Sequence, residues 1–178
     1  MQKSRLWILV ATLIAALTAI AVAQGNKPAS PPGEATLKFD DGKTVSIQYN
    51  RPSMRGRKIF GGLVPYNEVW RTGANAATSL KSDVALTIGG ANVPAGSYTL
   101  YTLPGPTSWK LIINKQTGQW GTEYNQAQDL VRVDMKVGQI SSPLEQFTIS
   151  FDKTGGAAAT LKLEWETTVA SVEVKEKK

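Results

Sequence analysis

From Ala35 to Val174 the chain alternates apolar and polar residues with period two, and glycine or proline turns interrupt the alternation at short, regular intervals. Successive strand side chains point to opposite faces, so a sustained period of two commits a chain to half-buried strands. Thr36-Leu37-Lys38-Phe39 alternates, Asp40-Asp41-Gly42-Lys43 signals a tight turn, and Val45-Ser46-Ile47-Gln48-Tyr49 alternates again, which predicts a hairpin. Further strands are predicted over Ser79–Ile88, Ser97–Leu103, Trp109–Asn114, Leu130–Val137, Glu145–Phe151, Thr160–Glu166 and Val169–Val174. Helical periodicity is confined to Glu123–Leu130. About nine short strands without βαβ spacing predict an all-β fold, an antiparallel β-sandwich or jelly roll in one domain.

The first residues follow another pattern. Lys3 and Arg5 precede the uncharged apolar run Leu6–Val22, which ends in the small-x-small sequence Ala21-Val22-Ala23. That is the form of a secretory signal peptide over residues 1–23, so an exported, periplasmic or extracellular protein without a membrane span is expected. Residues 24–34, with three prolines, read as a flexible linker, 35–174 as the domain and 175–178 as a charged, solvated tail. Losing Lys3 and Arg5 takes the formal net charge from +6 to +4. The chain has no histidine and no cysteine. That excludes Ser-His-Asp and Cys-His machinery, disulfides, a zinc site of the usual ligands, and the cysteine-linked lipoprotein route. No metal or cofactor is expected.

Two stretches escape the alternation: Gln116–Asp129 and the long segment Tyr49–Thr78. The latter gathers Arg51, Arg55, Arg57, Lys58 and Arg71 beside Phe60, Tyr66 and Trp70, with Glu68 its single acid. An irregular connection this long inside one domain is usually functional or structured in its own right. Arginine suits bidentate capture of carboxylate or phosphate, and glycine lets backbone N–H groups approach an anion. A binding site is therefore predicted from Arg51, Arg55, Arg57, Trp70, Arg71 and Asn75: the arginines clamp an anionic or polyhydroxylated ligand, Asn75 orients it and Trp70 forms an apolar wall. The competing reading is a structural plug, with the arginines paired to the domain's own carboxylates or laid over aromatic rings. The cations are too local, and the net charge too small, for a nucleic-acid surface. Protein partners leave no signature in the sequence.

The run Tyr49-Asn50-Arg51-Pro52, Arg55 to Tyr66 and Val69-Trp70-Arg71-Thr72-Gly73-Ala74-Asn75 resembles a bacterial family, domain of unknown function 2911. Pro94 to Leu100, Trp109 to Asn114, Gln119-Trp120-Gly121 and Leu163 to Glu166 carry the resemblance to the end of the chain. It implies an exported envelope protein and no particular reaction. Ala76 stands where the family pattern often has Glu after the GAN triplet, so a carboxylate is missing there.

Carboxylate-dependent hydrolysis of saccharides or esters is the enzymatic alternative. It needs two facing carboxyls, about 5–5.5 Å apart for retention or about 6.5–9.5 Å for inversion. Glu68 is the first candidate, ahead of Glu123, Asp129, Asp134, Glu164 and Glu166. Trp109 and Trp165 are expected in the core, while Trp120 is expected either to stack on a ligand or to cap an open end of the sandwich. Tyr98 and Tyr101, on opposite faces of one strand, predict that at most one of them faces the core. Cleavage after Ala23 is expected to give an exported form beginning at Gln24. N-terminal sequencing of envelope fractions tests this, and a form retaining Met1 would point to an uncleaved anchor instead.

Overall fold

The alternation becomes nine strands in a computed structural model that describes residues 29–177. The expected signal peptide, linker residues 24–28 and Lys178 lie outside the described residues. The strands are β1 (Pro32–Lys38), β2 (Thr44–Asn50), β3 (Thr78–Ser82), β4 (Leu86–Ile88), β5 (Ala91–Val93), β6 (Gly96–Pro104), β7 (Trp109–Asn114), β8 (Asp129–Gly155) and β9 (Ala158–Glu176). They form one sheet of order β1-β2-β3-β6-β7-β8-β9-β4-β5, and every neighbouring pair is antiparallel. The protein is all-β.

The first hairpin turns at Asp-Gly. Gly42 takes φ +89°, Phe39 N–H donates to the Lys43 carbonyl at 2.9 Å, and Lys43 N–H donates to Asp41 Oδ1 at 3.1 Å. Glycine is the residue for which that backbone angle carries no steric cost.

β8 bends the sheet back over itself. Its first part pairs with β7 as far as Met135, and from Lys136 onward it pairs with β9. The far part of β8 then faces β2: the Tyr49 hydroxyl accepts from Ile149 N–H at 2.9 Å across the interior. One buried cluster fills the space between the two halves, with Leu37, Val45 and Ile47 from one side and Ile149, Leu161 and Leu163 from the other.

The sequence-predicted strands change at their ends and joins. Ser79–Ile88 is two strands, because a bend at Asp83 carries the chain from β3, beside β2, to β4, beside β9. Asp83 accepts from the Thr44 hydroxyl at 2.6 Å and holds the bend. The predicted pairs Leu130–Val137 with Glu145–Phe151, and Thr160–Glu166 with Val169–Val174, each run on as one long strand interrupted by irregular register. β1 starts at Pro32, inside the stretch read as linker, with Gly33 packed flat on Tyr49 and Arg51. β9 runs into the predicted tail, where Glu176 pairs with Lys43 at 3.2 Å. The helical pattern at Glu123–Leu130 yields a single 3-10 turn, Gln126–Gln128.

Near one end of the core five aromatic rings meet. Trp70 stacks on Trp165 with centroids 5.9 Å apart, Phe147 meets Trp70 edge-on at 4.9 Å, and Phe60 meets Trp109 at 4.7 Å. Trp165 is 1% exposed, and Trp120 is 51% exposed. Trp165→Ala is expected to cost about 3–5 kcal/mol by opening a large cavity. Trp120→Ala should stay within about 0.5 kcal/mol, as surface substitutions do. Urea unfolding of the two variants checks the contrast.

Candidate functional site

The irregular segment owes its course to a weakness in β8. Between Gln139 and Thr148 the register with β9 shifts twice, which takes several β8 backbone groups off the ladder. Buried backbone groups need partners, and residues 51–54 supply them. Phe147 N–H donates to the Pro52 carbonyl at 2.9 Å and Met54 N–H to the Glu145 carbonyl at 2.8 Å, while Ser53 forms a bridge with Gln146. The Trp165 indole N–H also donates to the Glu145 carbonyl, at 3.1 Å.

Arg51 belongs to this stitching. Its Nε donates to the Phe147 carbonyl at 3.3 Å and its Nη2 to Thr148 Oγ1 at 3.0 Å. The sequence placed Arg51 with the ligand-binding arginines, but it is absent from the cavity that the others line. The carbonyl left off the ladder takes up its guanidinium.

The remaining predicted residues, Arg55, Arg57, Trp70, Arg71 and Asn75, all line one cavity of about 500 Å³. Trp70, Val64 and Trp165 contribute its apolar part, Tyr101 and Tyr124 its aromatic wall, and Ser30, Ser53 and Thr122 its hydroxyls. Among the described residues, no acidic one lines it. Arg57 is oriented by the carbonyls of Met54 at 2.9 Å and Ser53 at 2.8 Å. Arg55 Nη2 reaches the Ala29 carbonyl at 3.4 Å, and Arg71 Nε the Gly73 carbonyl at 3.3 Å. Among the described residues, none of the seven salt bridges involves these three arginines. The plug reading expected the arginines paired to carboxylates or laid over aromatic rings, and the guanidinium partners found are backbone carbonyls.

The backbone beneath the arginines is strained. Four of the five non-glycine residues with positive φ lie here: Arg55, Asn67, Thr72 and Asn75. Thr72, β-branched and fully buried at φ +54°, is in a conformation such side chains rarely adopt. The surroundings hold it there: its hydroxyl meets Thr102 Oγ1 at 3.1 Å, and its carbonyl accepts from the Thr78 hydroxyl at 2.8 Å. Trp70 is fixed by paired backbone bonds with Thr102, at 2.8 and 3.0 Å. Strain of this kind collects at functional sites, where surrounding structure over-determines a costly conformation.

The Gln119-Trp120-Gly121 motif closes the opposite side. Gly121 N–H donates to the Asn75 carbonyl at 3.0 Å. A Cβ on Gly121 would lie 2.7 Å from both that oxygen and Arg71 Cδ, so only glycine allows this approach. Trp120 itself forms a bridge with Ala76 and leaves its ring outside the cavity.

Tyr98 joins the core cluster and Tyr101 does not, in line with the expectation that at most one faces the core, yet Tyr101 is buried as well. They do sit on opposite faces of β6, but the Gln116–Asp129 segment covers the second face. There the Tyr101 hydroxyl donates to the Glu123 carbonyl at 3.1 Å and its ring meets Tyr124 edge-on at 4.9 Å. The alternation alone carries no sign of that cover.

The candidate carboxylates lie elsewhere. Glu68 is exposed and off the cavity, and Asp134 pairs with Lys110 at 2.6 Å. Asp129 braces Tyr124 from behind, accepting from its hydroxyl at 2.6 Å, from Arg132 Nε at 2.8 Å and from Asn114 Nδ2 at 2.8 Å. Burial, and then the bond to Asp129, push the Tyr124 phenol up to about 12, and burial raises Tyr101 as well. An acid whose pKa rises on folding stabilises the fold below its unfolded value, about 10 for tyrosine, and that stability is lost as pH climbs through the folded value. Stability should therefore fall from about pH 10 to about 12. A phenolate absorbance titration is expected to show a late-ionising tyrosine that disappears in Tyr124→Phe.

A model of the family described as protein of unknown function (DUF2911) matches residues 30–174. No curated protein and no solved structure matches the chain.

Proposed function

Since the chain belongs to the DUF2911 family, described as proteins of unknown function, we propose a function from the cavity itself: an exported envelope protein that binds a small anionic, polyhydroxylated ligand between Arg55, Arg57 and Arg71. One observation carries this reading. Three arginines line a cavity with no acidic residue among the described residues, none of the three has a carboxylate within salt-bridge distance, and their guanidinium hydrogen bonds go to backbone carbonyls. Held cations with spare donors are what bidentate anion recognition needs. Trp70 and Tyr124, both half-buried, supply aromatic surface beside which a ring can lie. The cavity volume falls within the range of small-molecule sites, roughly 300–1,000 Å³.

Hydrolysis by paired carboxylates has no support at this cavity, which lacks even one. Export rests on the leader pattern of residues 1–23.

A thermal-shift screen of the purified protein against anionic metabolites, sugar acids and cell-wall fragments tests the proposal. A ligand present at a hundred times its dissociation constant adds about 2.7 kcal/mol. In Arg71→Ala that shift should vanish, while the unliganded variant keeps its stability to within about 1 kcal/mol. No ligand shift, together with an unliganded Arg71→Ala weakened by about 3–5 kcal/mol, would instead make Arg71 part of a structural plug.

A further inference from the structure

Building on that binding reading, we infer that the anionic group taken by the cavity is a dianionic phosphomonoester carried on a sugar-sized body, in preference to a carboxylate. Charge and donor geometry both lead there. A carboxylate brings one negative charge and two coplanar oxygens, which one guanidinium fork satisfies. The cavity holds three guanidinium groups and no acid, so a bound carboxylate would leave two cations without a counter-charge. A phosphomonoester brings nearly two charges and three strong acceptor oxygens in a tetrahedral array.

The donors left over fit that array. Arg71 gives its Nε to Gly73 and keeps the end formed by Nη1 and Nη2. Arg57 gives Nε and Nη2 to carbonyls and keeps Nη1. Arg55 gives only Nη2, to Ala29, and keeps the others. The three side chains come from two separate chain segments, 55–57 and 71, and line one cavity. Several donor edges approaching from different segments suit a tetrahedral group better than a planar one. Trp70 and Tyr124, both half-buried, give the remainder of the ligand aromatic surface, and Ser30, Ser53 and Thr122 give its hydroxyls partners.

The chain's composition makes the test clean. The protein has neither histidine nor cysteine, and the titratable side chains lining the cavity are arginines and tyrosines, which keep their protonation between pH 5 and 7. A phosphomonoester loses its second proton near about pH 6. A site selective for the dianion should therefore bind glucose 6-phosphate about tenfold more weakly at pH 5 than at pH 7, following the dianion fraction. Glucose 6-sulfate stays a monoanion throughout. It controls for any change in the protein, including one at Glu145, which accepts from Arg55 N–H, or at Asp129 behind Tyr124.

Calorimetric titration of the purified protein with glucose 6-phosphate, glucose 6-sulfate, glucuronate and glucose at both pH values decides the matter. The expected result is tightest binding of glucose 6-phosphate at pH 7, a tenfold loss at pH 5, and weaker, pH-independent binding of the other two anions. Arg71→Lys, which keeps the charge and loses the paired donors, should erase the preference for phosphate over glucuronate. Arg55→Gln, at an exposed side chain that leaves only the Ala29 carbonyl unmatched, should weaken glucose 6-phosphate without lowering the melting temperature of the free protein. Glucuronate or the sulfate binding as tightly as the phosphate at pH 7 would overturn the inference and leave the anion-binding reading standing, as would a pH-independent phosphate affinity. If none of the four probes binds, the inference falls, and the ligand screen with Arg71→Ala then decides separately whether the cavity binds any anion.

Discussion

A strand that leaves its ladder must satisfy its backbone elsewhere, and the architecture around the cavity follows from β8 doing so. The shifts between Gln139 and Thr148 take Glu145, Gln146 and Phe147 out of register with β9. Pro52, Met54, the Arg51 guanidinium and the Trp165 indole pick up the freed groups. A buried carbonyl or N–H without a partner costs about 1–3 kcal/mol, so several such groups strongly favour laying residues 51–54 across the shifted stretch. That placement brings Arg55 and Arg57 to the rim. On the other strand Glu166, opposite Leu144, absorbs the irregularity with φ +56°.

The aromatic cluster ties the same region to the core. Trp70 stacks on buried Trp165, packs edge-on against Phe60 and Phe147, and still presents part of its surface to the cavity. One ring thus packs against the core and lines the cavity. Its backbone is pinned to Thr102, so Arg71, Thr72 and Asn75 start from a fixed point. The strain at Thr72 is sustained by that rigidity. A conformation costing about 1–3 kcal/mol persists only where its neighbours leave no alternative.

Much of the fold was legible because burial on one face of a strand writes period two into the residues. β2 and the second half of β1 read directly from it, whereas β6 and β7, buried on both faces, read as short apolar runs between turns. β5, three residues long, is too short to show a period. The joins within β8 and β9 were hidden because Gly138, Pro143 and the Glu166–Thr168 stretch resemble turns, yet the chain continues extended through them. The cavity was partly legible: Arg55, Arg57, Trp70, Arg71 and Asn75 were found by their density in one irregular segment. Arg51 has the same residue type and neighbourhood, and only the position of an unpaired carbonyl on a strand nearly a hundred residues away separates it from them. Tyr101 and Tyr124 reach the cavity through the packing of a second irregular segment on β6, a long-range contact with no local signature.

Several described cations, Lys38, Lys58, Lys81, Lys115 and Lys136 among them, also lack a salt bridge, and what distinguishes Arg55, Arg57 and Arg71 is that they line one cavity. Lys43, Lys110, Arg132, Lys153, Lys162 and Lys175 each face a carboxylate within salt-bridge distance, so the domain has acids to spend on its cations. Exposed pairs of that kind add at most about 1 kcal/mol each, and their absence at the cavity is therefore no large energetic anomaly. Its meaning is electrostatic. Positive potential inside a walled cleft is focused rather than screened, and it raises the local concentration of anions. A purely structural arginine needs its charge cancelled or its donors consumed, and Arg51, bonded to a carbonyl and a hydroxyl deep against β8, approaches that state. Arg71 stands half-buried beside Trp70 with one nitrogen held and its outer edge free. Holding the stem while leaving the fork unspent is what the proposed anion site asks of Arg71.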